Sequence, residues 1–442
     1  MSLLSCNKPF AAVASRRASG SSAYGRRLAA KAAPGLTALL IFLAGCGRRE
    51  IVRPTPQMDA DSRFWVRVLL LPNATECTVA ALSPMHVSDH AGAVSLPTGG
   101  GLTAPFDGPI RVTVSDGRLY LGATSHSAKE VTIGTEKPHV FSLNGQSYRG
   151  RLRLIRNSDS QTFHAINIVP LEPYLAGVVG AEMPAYWEPQ AIRAQAVAAR
   201  TYCLYTKNRF GVHRAWDVSS TQASQVYRGL SAETAQIWNA VTATYGKVLV
   251  SGPGGSPETG LFPTYYSSIC GGHTEDCERV FGEAFAPLKA VPCPYCKDVA
   301  KMGMFFWPMA QFDRATVTAR LFERYPTLQK LGEITGIVTI EKSDHGQFAR
   351  LTKVRLVGST GKTETLRGED LRLTLDPSGR KIQSTICHIV PWGDGWAFLS
   401  GRGWGHGVGM CQHGAEGMAR LGKSAEEILQ HYYPGSAIAS LY

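Results

Sequence analysis

Three stretches of this 442-residue chain carry side chains whose types and spacing suit chemistry. The first is "GAEMPAYWEPQ", where Glu182 sits beside Met183, Tyr186 and Trp187 ahead of a helix. Apolar neighbours raise a carboxyl pKa, which is what a general acid near neutral pH requires. The plainer role for such a Glu is to cap the helix region that follows. Glu188 directly precedes Pro189 and suits a helix start, while Glu172 in "PLEPYL" reads as structural. The second stretch is "GRGWGHGVG", residues 401–409, in which glycine alternates with Arg402, Trp404, His406 and Val408. Alternate glycines clear one face of an extended segment for close approach of a ligand or of another strand. Trp404 and His406 then share the other face, unless both are simply packed in the core. The third is a cysteine series, Cys270-x6-Cys277-x15-Cys293-x2-Cys296. Two chemistries suit it: a structural zinc with four thiolates, with His273 able to replace one, or two disulfides.

Regular elements must position these groups. "FWVRVLLL" reads as a buried strand, and "GPIRVTV", "GRLYLGA" and "VTIG" as short strands between turns, so residues 61–145 form a β-rich N-terminal region. "SYRGRLRLI" and "TFHAINIV" predict a hairpin, and "LAGVVGA" reads as strand-like just before Glu182. "PQAIRAQAVAARTYCLYTKNR" predicts a helix with Pro189 in its first turn. On it Arg193 and Arg200 share one face. "SAETAQIWNAVTATYG" predicts a second helix capped by Ser231 and stopped by Gly246. Next come a strand, glycine turn and strand in "KVLVSGPGG" and "LFPTYYSS". Further helices are expected in "DRATVTARLFERYP" and "SAEEILQHYY", and a hairpin turning near Gly358–Gly361. A helix from about Gln412 follows the glycine-rich stretch. The mixture is α+β, without the strict βαβ alternation of a doubly wound sheet.

Four blocks, in order, now support a resemblance: "PLEPYLAGVVGAEMPAYWEPQAIRAQAVAARTY", "DVSSTQASQVYRG", "YYSSICGGHTED" and "GRGWGHGVGMCQHGAEGMARLGKSAEEILQHYYPG". Together they resemble the SpoIID/LytB family of sporulation stage II protein D and the amidase enhancers, over about residues 145–442. The resemblance implies a SpoIID-like catalytic domain over 146–442 that cleaves peptidoglycan glycan strands as a lytic transglycosylase. It makes Glu182 the catalytic acid and places Arg193, Arg200, Gln225, Trp404 and His406 against substrate. Arg193 stands where the family has a lysine, so a planar guanidinium replaces a compact ammonium. Arg200 has a second fate, pairing with a carboxylate. A non-catalytic wall protein that enhances an N-acetylmuramoyl-L-alanine amidase is the alternative. Single-acid chemistry requires no cofactor. Some sporulation members bind zinc through a His and two Cys near the second block. Here His213 remains, but Ser219 and Ser224 occupy the probable cysteine positions, so no metal is expected there.

The N-terminus reads as a processing segment. Lys8, Arg16, Arg17, Arg26, Arg27 and Lys31 precede the apolar Gly35–Leu43 run, with no acid before residue 46. "LAGC" resembles a lipobox, which makes residues 1–45 a lipoprotein signal, Cys46 the lipidated N-terminus and 46–60 a tether. An ordinary signal peptide or a short anchor helix is the rival. The expected location is outside the cytoplasm, anchored to a membrane by lipid and facing the cell wall. The chain carries 46 Lys and Arg against 34 Asp and Glu, and six of those bases lie in the leader. The remaining excess of six bases suits an anionic wall polymer. No RNP or helix-turn-helix pattern accompanies it, so nucleic acid is not an expected partner.

Overall fold

The computed structural model describes residues 64–88 and 108–442, apart from Pro253 and Glu258. Cys46, the leader and the tether lie outside the described residues. None of the described helices is long and apolar enough to cross a membrane.

Alternation of apolar and polar residues forms the strands. The strand β1, Trp65–Ala74, buries Val66, Val68 and Leu70 on one side and pairs antiparallel with β2, Phe163–Pro170. They sit in a six-stranded sheet ordered 218–219, β1, β2, 151–156, 130–135 and 85–88. The expected hairpin forms the two central strands of this order, 151–156 paired antiparallel with β2. A second six-stranded sheet contains 76–80, 110–115, 118–121, 124–126, 140–143 and 146–149. Residue 145, the expected end of the β-rich region, lies at the tip of its 140–149 hairpin. Strands from both sides of that position share each sheet, and their side chains share one core with the first helices.

Helix α1 is Leu171–Glu182, so "LAGVVGA" is helical rather than strand-like. Its glycines explain the difference. A Cβ at Gly177 would lie 2.5 Å from the Tyr227 ring, and one at Gly180 would collide with the Ala232 carbonyl. Glycine lowers helix propensity by about 1 kcal/mol per residue. The close docking it permits against 226–232 selects the helix instead. Helix α2, Pro189–Phe210, runs through the core with Pro189 at its start, as expected. Helix α3, Ala235–Ala243, is capped by Thr234 rather than Ser231, which lies in a preceding 3₁₀ turn. The Thr234 hydroxyl accepts the Ile237 N–H, the usual N-cap bond.

Residues 306–399 build a module with its own core, from Trp307 and Phe312 to Trp396 and Phe398. Two three-stranded sheets pack with α4, Arg314–Arg324, and α5, Gly368–Leu375. The hairpin 351–367 turns at 358–362, where it was expected. Beyond the module lie α6, Gln412–Arg420, and α7, Ala425–Tyr432. Ser424 and Glu427 close a capping box on α7. The architecture is α+β.

Candidate active site

Glu182 is the last residue of α1. Docking of α1 on 226–232 brings the Val226 N–H to Glu182 Oε1 at 3.0 Å. On the other oxygen, the Gln412 side-chain amide donates to Oε2 at 3.3 Å and to the Glu182 carbonyl at 3.4 Å. Burial is the leading influence on this carboxyl and raises its pKa above the ordinary Glu value. The two N–H donors and the more distant Arg228 pull the other way, more weakly. The helix C-terminus also disfavours a negative charge at this position. The result is a carboxyl partly withdrawn from water, held in one orientation by two donors. Met183 and Trp187 are buried beside it in sequence, but Tyr186 is 84 % exposed and supplies no apolar cover.

Nothing local in the sequence marks Gln412 as a partner of Glu182. It opens α6 just after a two-residue strand, β4, Met410–Cys411. That strand pairs in parallel with β3, Tyr266–Ser267, all that forms of the longer strand expected in "LFPTYYSS". The far end of α6 is tied down as well, since Glu416 accepts the Glu188 N–H at 2.8 Å and pairs with Arg420. Removing the Gln412 donor should raise the Glu182 pKa further. A donor favours the ionised carboxylate, so its loss favours the acid. For an acid-catalysed reaction, activity falls as pH rises through that pKa. Gln412→Leu is therefore expected to move this alkaline limb up by about 0.5–1 pH unit, the equivalent of one modest hydrogen bond. A pH profile of kcat/KM checks it.

The other expected site residues divide. Arg200 is fully buried and pairs in a fork with Glu172, at 2.9 and 2.7 Å. It also donates to the Lys247 carbonyl at 3.0 Å. Its placement against substrate is thus corrected: the guanidinium is consumed inside the core. Gln225 is corrected likewise. It is buried, accepts from Tyr174 and donates to the Ala199 carbonyl and the Tyr266 hydroxyl. It braces Tyr266 and the segment carrying Val226. Arg193 is only partly buried, and its buried Nε has no hydrogen-bond partner among the described residues. Of the two arginines on that helix face, Arg200 is the one paired with a carboxylate.

The glycine-rich stretch is not a plain extended strand. Gly403, Gly405, Gly407 and Gly409 all have φ between +69° and +107°. Such φ values favour glycine, and the close approach anticipated from the sequence is real. A Cβ at Gly403 would lie 2.7 Å from the Ile269 carbonyl, and one at Gly405 2.8 Å from Ser267 Cβ. One at Gly407 would strike the buried Arg350 guanidinium. Close approach is therefore to protein rather than to a sugar. Trp404 exchanges backbone hydrogen bonds with Ile269. The His406 ring packs edge-on against Tyr265 and Phe281, and its Nδ1 accepts the Val408 N–H at 3.0 Å. Burial pushes its pKa down to about 4, so the ring is neutral at pH 7. The side chain from this region that reaches Glu182 is Gln412, not His406.

Among the cysteines, Cys270, Cys293, Cys296 and Cys411 converge, with all four Sγ atoms within 4.8 Å of one another. Cys277 lies outside this group, a correction of the expected quartet. It begins a separate helical turn, Cys277–Phe281, which carries its thiol elsewhere. Cys411 takes its place because the β3–β4 register sets it opposite Ser267, three residues before Cys270. His273 stacks on His345 instead, with ring centres 3.9 Å apart. None of the eight described cysteines is in a disulfide. At the second block, the Ser219 hydroxyl donates to that of Ser224 at 3.3 Å. A hollow of about 370 Å³ on the 306–399 module, lined by Arg320, Glu323, Arg324, Leu373, Thr374 and Pro377, shares no residue with the Glu182 site.

Comparison with known proteins adds kinship to this geometry. Residues 159–250, which contain Glu182, Arg193, Arg200 and Gln225, match a family model described as stage II sporulation protein. The chain is 32 % identical to stage II sporulation protein D of Bacillus subtilis, over 72 % of this chain and 84 % of that protein. It is equally identical to an uncharacterised protein of Brachyspira hyodysenteriae, covering 73 % and 81 %. Similarity to the amidase enhancer of Bacillus subtilis is 28 % identity, over 75 % of this chain and 50 % of that protein. By its match to the sporulation protein over most of both chains, this protein belongs to the SpoIID/LytB family.

Proposed function

We propose that this protein acts on the bacterial cell wall, cleaving peptidoglycan glycan strands as a lytic transglycosylase with Glu182 as its acid and base. One observation carries the reading: Glu182 is a partly buried carboxyl whose pKa is raised and whose two oxygens are each held by a donor. In the first half-reaction the protonated carboxyl gives its proton to the glycosidic oxygen as the C1–O bond breaks. The electron pair leaves with that oxygen, and the sugar ring gains oxocarbenium character. In the second half, the Glu182 carboxylate takes the proton of the muramic 6-hydroxyl as that oxygen bonds to C1. A 1,6-anhydro ring results, Glu182 is protonated again, and no water is consumed. One carboxyl therefore suffices, in contrast to the pair that glycoside hydrolysis requires. Desolvation serves the first half, and the Val226 and Gln412 donors stabilise the anion between the halves. Arg193 is the candidate for contact with an anionic group of the glycan.

Digestion of purified peptidoglycan, intact and stripped of peptides, tests the reading by mass spectrometry of the products. Anhydro-muramic ends support it. The similarity to an amidase enhancer favours a second reading, a wall-binding protein that stimulates an amidase. Glycan binding with no anhydro product, together with stimulation of amidase release of peptides, would establish that one.

Lipid anchoring at Cys46 belongs to the same proposal. Cys46→Ser removes the thiol that would carry the lipid, and stable anchoring depends on acyl chains. The variant is expected to leave the membrane fraction. Unchanged fractionation, with no loss of lipid mass, rules the anchor out.

A further inference from the structure

We infer that Cys270, Cys293, Cys296 and Cys411 bind one zinc ion, and that this ion fixes the start of α6 so that Gln412 meets Glu182. The first half stands independently of the proposed function; the second rests on it.

Four sulfurs surround one point. Each Sγ lies within 4.8 Å of the other three, and Cys270 and Cys296 are 3.7 Å apart. A tetrahedral ion with Zn–S bonds of about 2.3 Å sets its sulfurs about 3.8 Å apart. Two disulfides need only one near neighbour for each sulfur, whereas here every sulfur has three. All four side chains are buried, so as free thiols they would occupy the core with little to gain from this convergence.

Donors are also aimed at the sulfurs. Cys411 Sγ accepts the Cys270 N–H at 3.2 Å and the Gly414 N–H at 3.4 Å. The Tyr432 hydroxyl lies 3.1 Å from Cys293 Sγ. Groups of this kind stabilise thiolates bound to a metal and orient them. The backbone makes room accordingly. A Cβ at Gly414 would lie 2.5 Å from Cys293 Sγ, so glycine lets the first turn of α6 close over the cluster.

The ligands come from three separated segments: the end of the Ser267–Cys270 stretch, the Cys293–Cys296 knuckle and the β4–α6 junction. Four protein ligands leave no open position, which defines a structural rather than a hydrolytic metal. Cys411 is the N-cap residue of α6 and Gln412 its first residue. An ion on Cys411 therefore anchors the residue adjoining the one that touches Glu182.

The test uses the full chain, purified under reducing conditions without added metal. Elemental analysis is expected to find about one zinc per chain, and X-ray absorption four sulfurs at about 2.3 Å. Removal of zinc by a chelator should expose about four additional thiols to Ellman's reagent. Cys277→Ser should retain the metal and Cys411→Ser should lose it. The thiol count on the unmodified chain decides the matter even if Cys411→Ser fails to fold. Substoichiometric zinc, iron in its place, or two disulfides among these cysteines in the chain isolated from its own compartment would overturn the site. Loss of zinc from Cys277→Ser but not Cys411→Ser would do the same. The link to Glu182 fails separately. If zinc is present but its removal leaves the near-ultraviolet and fluorescence signals of nearby Trp187 unchanged, the metal does not order α6. Trp187 reports because it packs edge-on against His413 of α6, with ring centres 4.9 Å apart.

Discussion

Glu182→Gln is expected to lower glycan cleavage by about 10²–10⁴-fold, the usual cost of losing a positioned acid. The amide has nearly the same shape and cannot deliver a proton. Its oxygen can still accept from the Val226 N–H, and the Gln412 amide can turn to present its oxygen to the new NH₂ group. Folding and glycan binding should therefore persist. Mass spectrometry of digestion products measures the loss, and a sedimentation assay with insoluble peptidoglycan measures binding. Near-normal anhydro product from this variant would remove Glu182 from the mechanism. Lost binding together with lost cleavage would make Glu182 a binding residue instead.

The second large effect is on stability. Arg200 forms a fork with Glu172, whose Oε1 also accepts the Tyr442 hydroxyl at 2.7 Å. The pair thus connects α1, α2, the 247–251 strand and the chain's last residue. Breaking a buried ion pair from one side costs about 3–5 kcal/mol, because the remaining charge is stranded. Arg200→Met is expected to lose stability in that range in urea unfolding. Glu172→Leu combined with Arg200→Met should recover part of the loss, since no charge is then left buried. Recovery is incomplete because the Lys247 carbonyl still lacks its donor. Turnover by the folded fraction of Arg200→Met should change little. A loss of turnover at unchanged stability would instead return Arg200 to the substrate.

Local signals were enough for much of this. Pro189 and a run of good helix formers marked α2, and "SAEEILQHYY" marked α7, whose capping box from Ser424 to Glu427 the structure added. A nearly continuous apolar run marked β1, and the turn near Gly358–Gly361 marked the 351–367 hairpin. Of the apolar neighbours expected around Glu182, Met183 and Trp187 are buried, while Tyr186 turned outward. Partner choice was not visible. Arg193 and Arg200 share a helix face, yet one sinks into the core because Glu172 stands opposite it, and α1 sets that from another part of the chain. Local spacing likewise selected Cys277, only seven positions from Cys270, over Cys411.

By itself the sequence determined which residues could act and which segments had a regular period, since propensity and patterning work over a few neighbouring positions. It also determined kinship, because the four blocks occur in order along the chain. Only the tertiary structure decided that "LAGVVGA" is a helix, because docking against Tyr227 and Ala232 outweighs its glycine content. Only it decided that glycines 403–409 accommodate Ile269, Ser267 and Arg350, and that Cys411 joins the thiol cluster. Gln412 could be identified only there as well. It lies 230 positions from Glu182, and the two meet because the β3–β4 register and the packing of α6 close that distance.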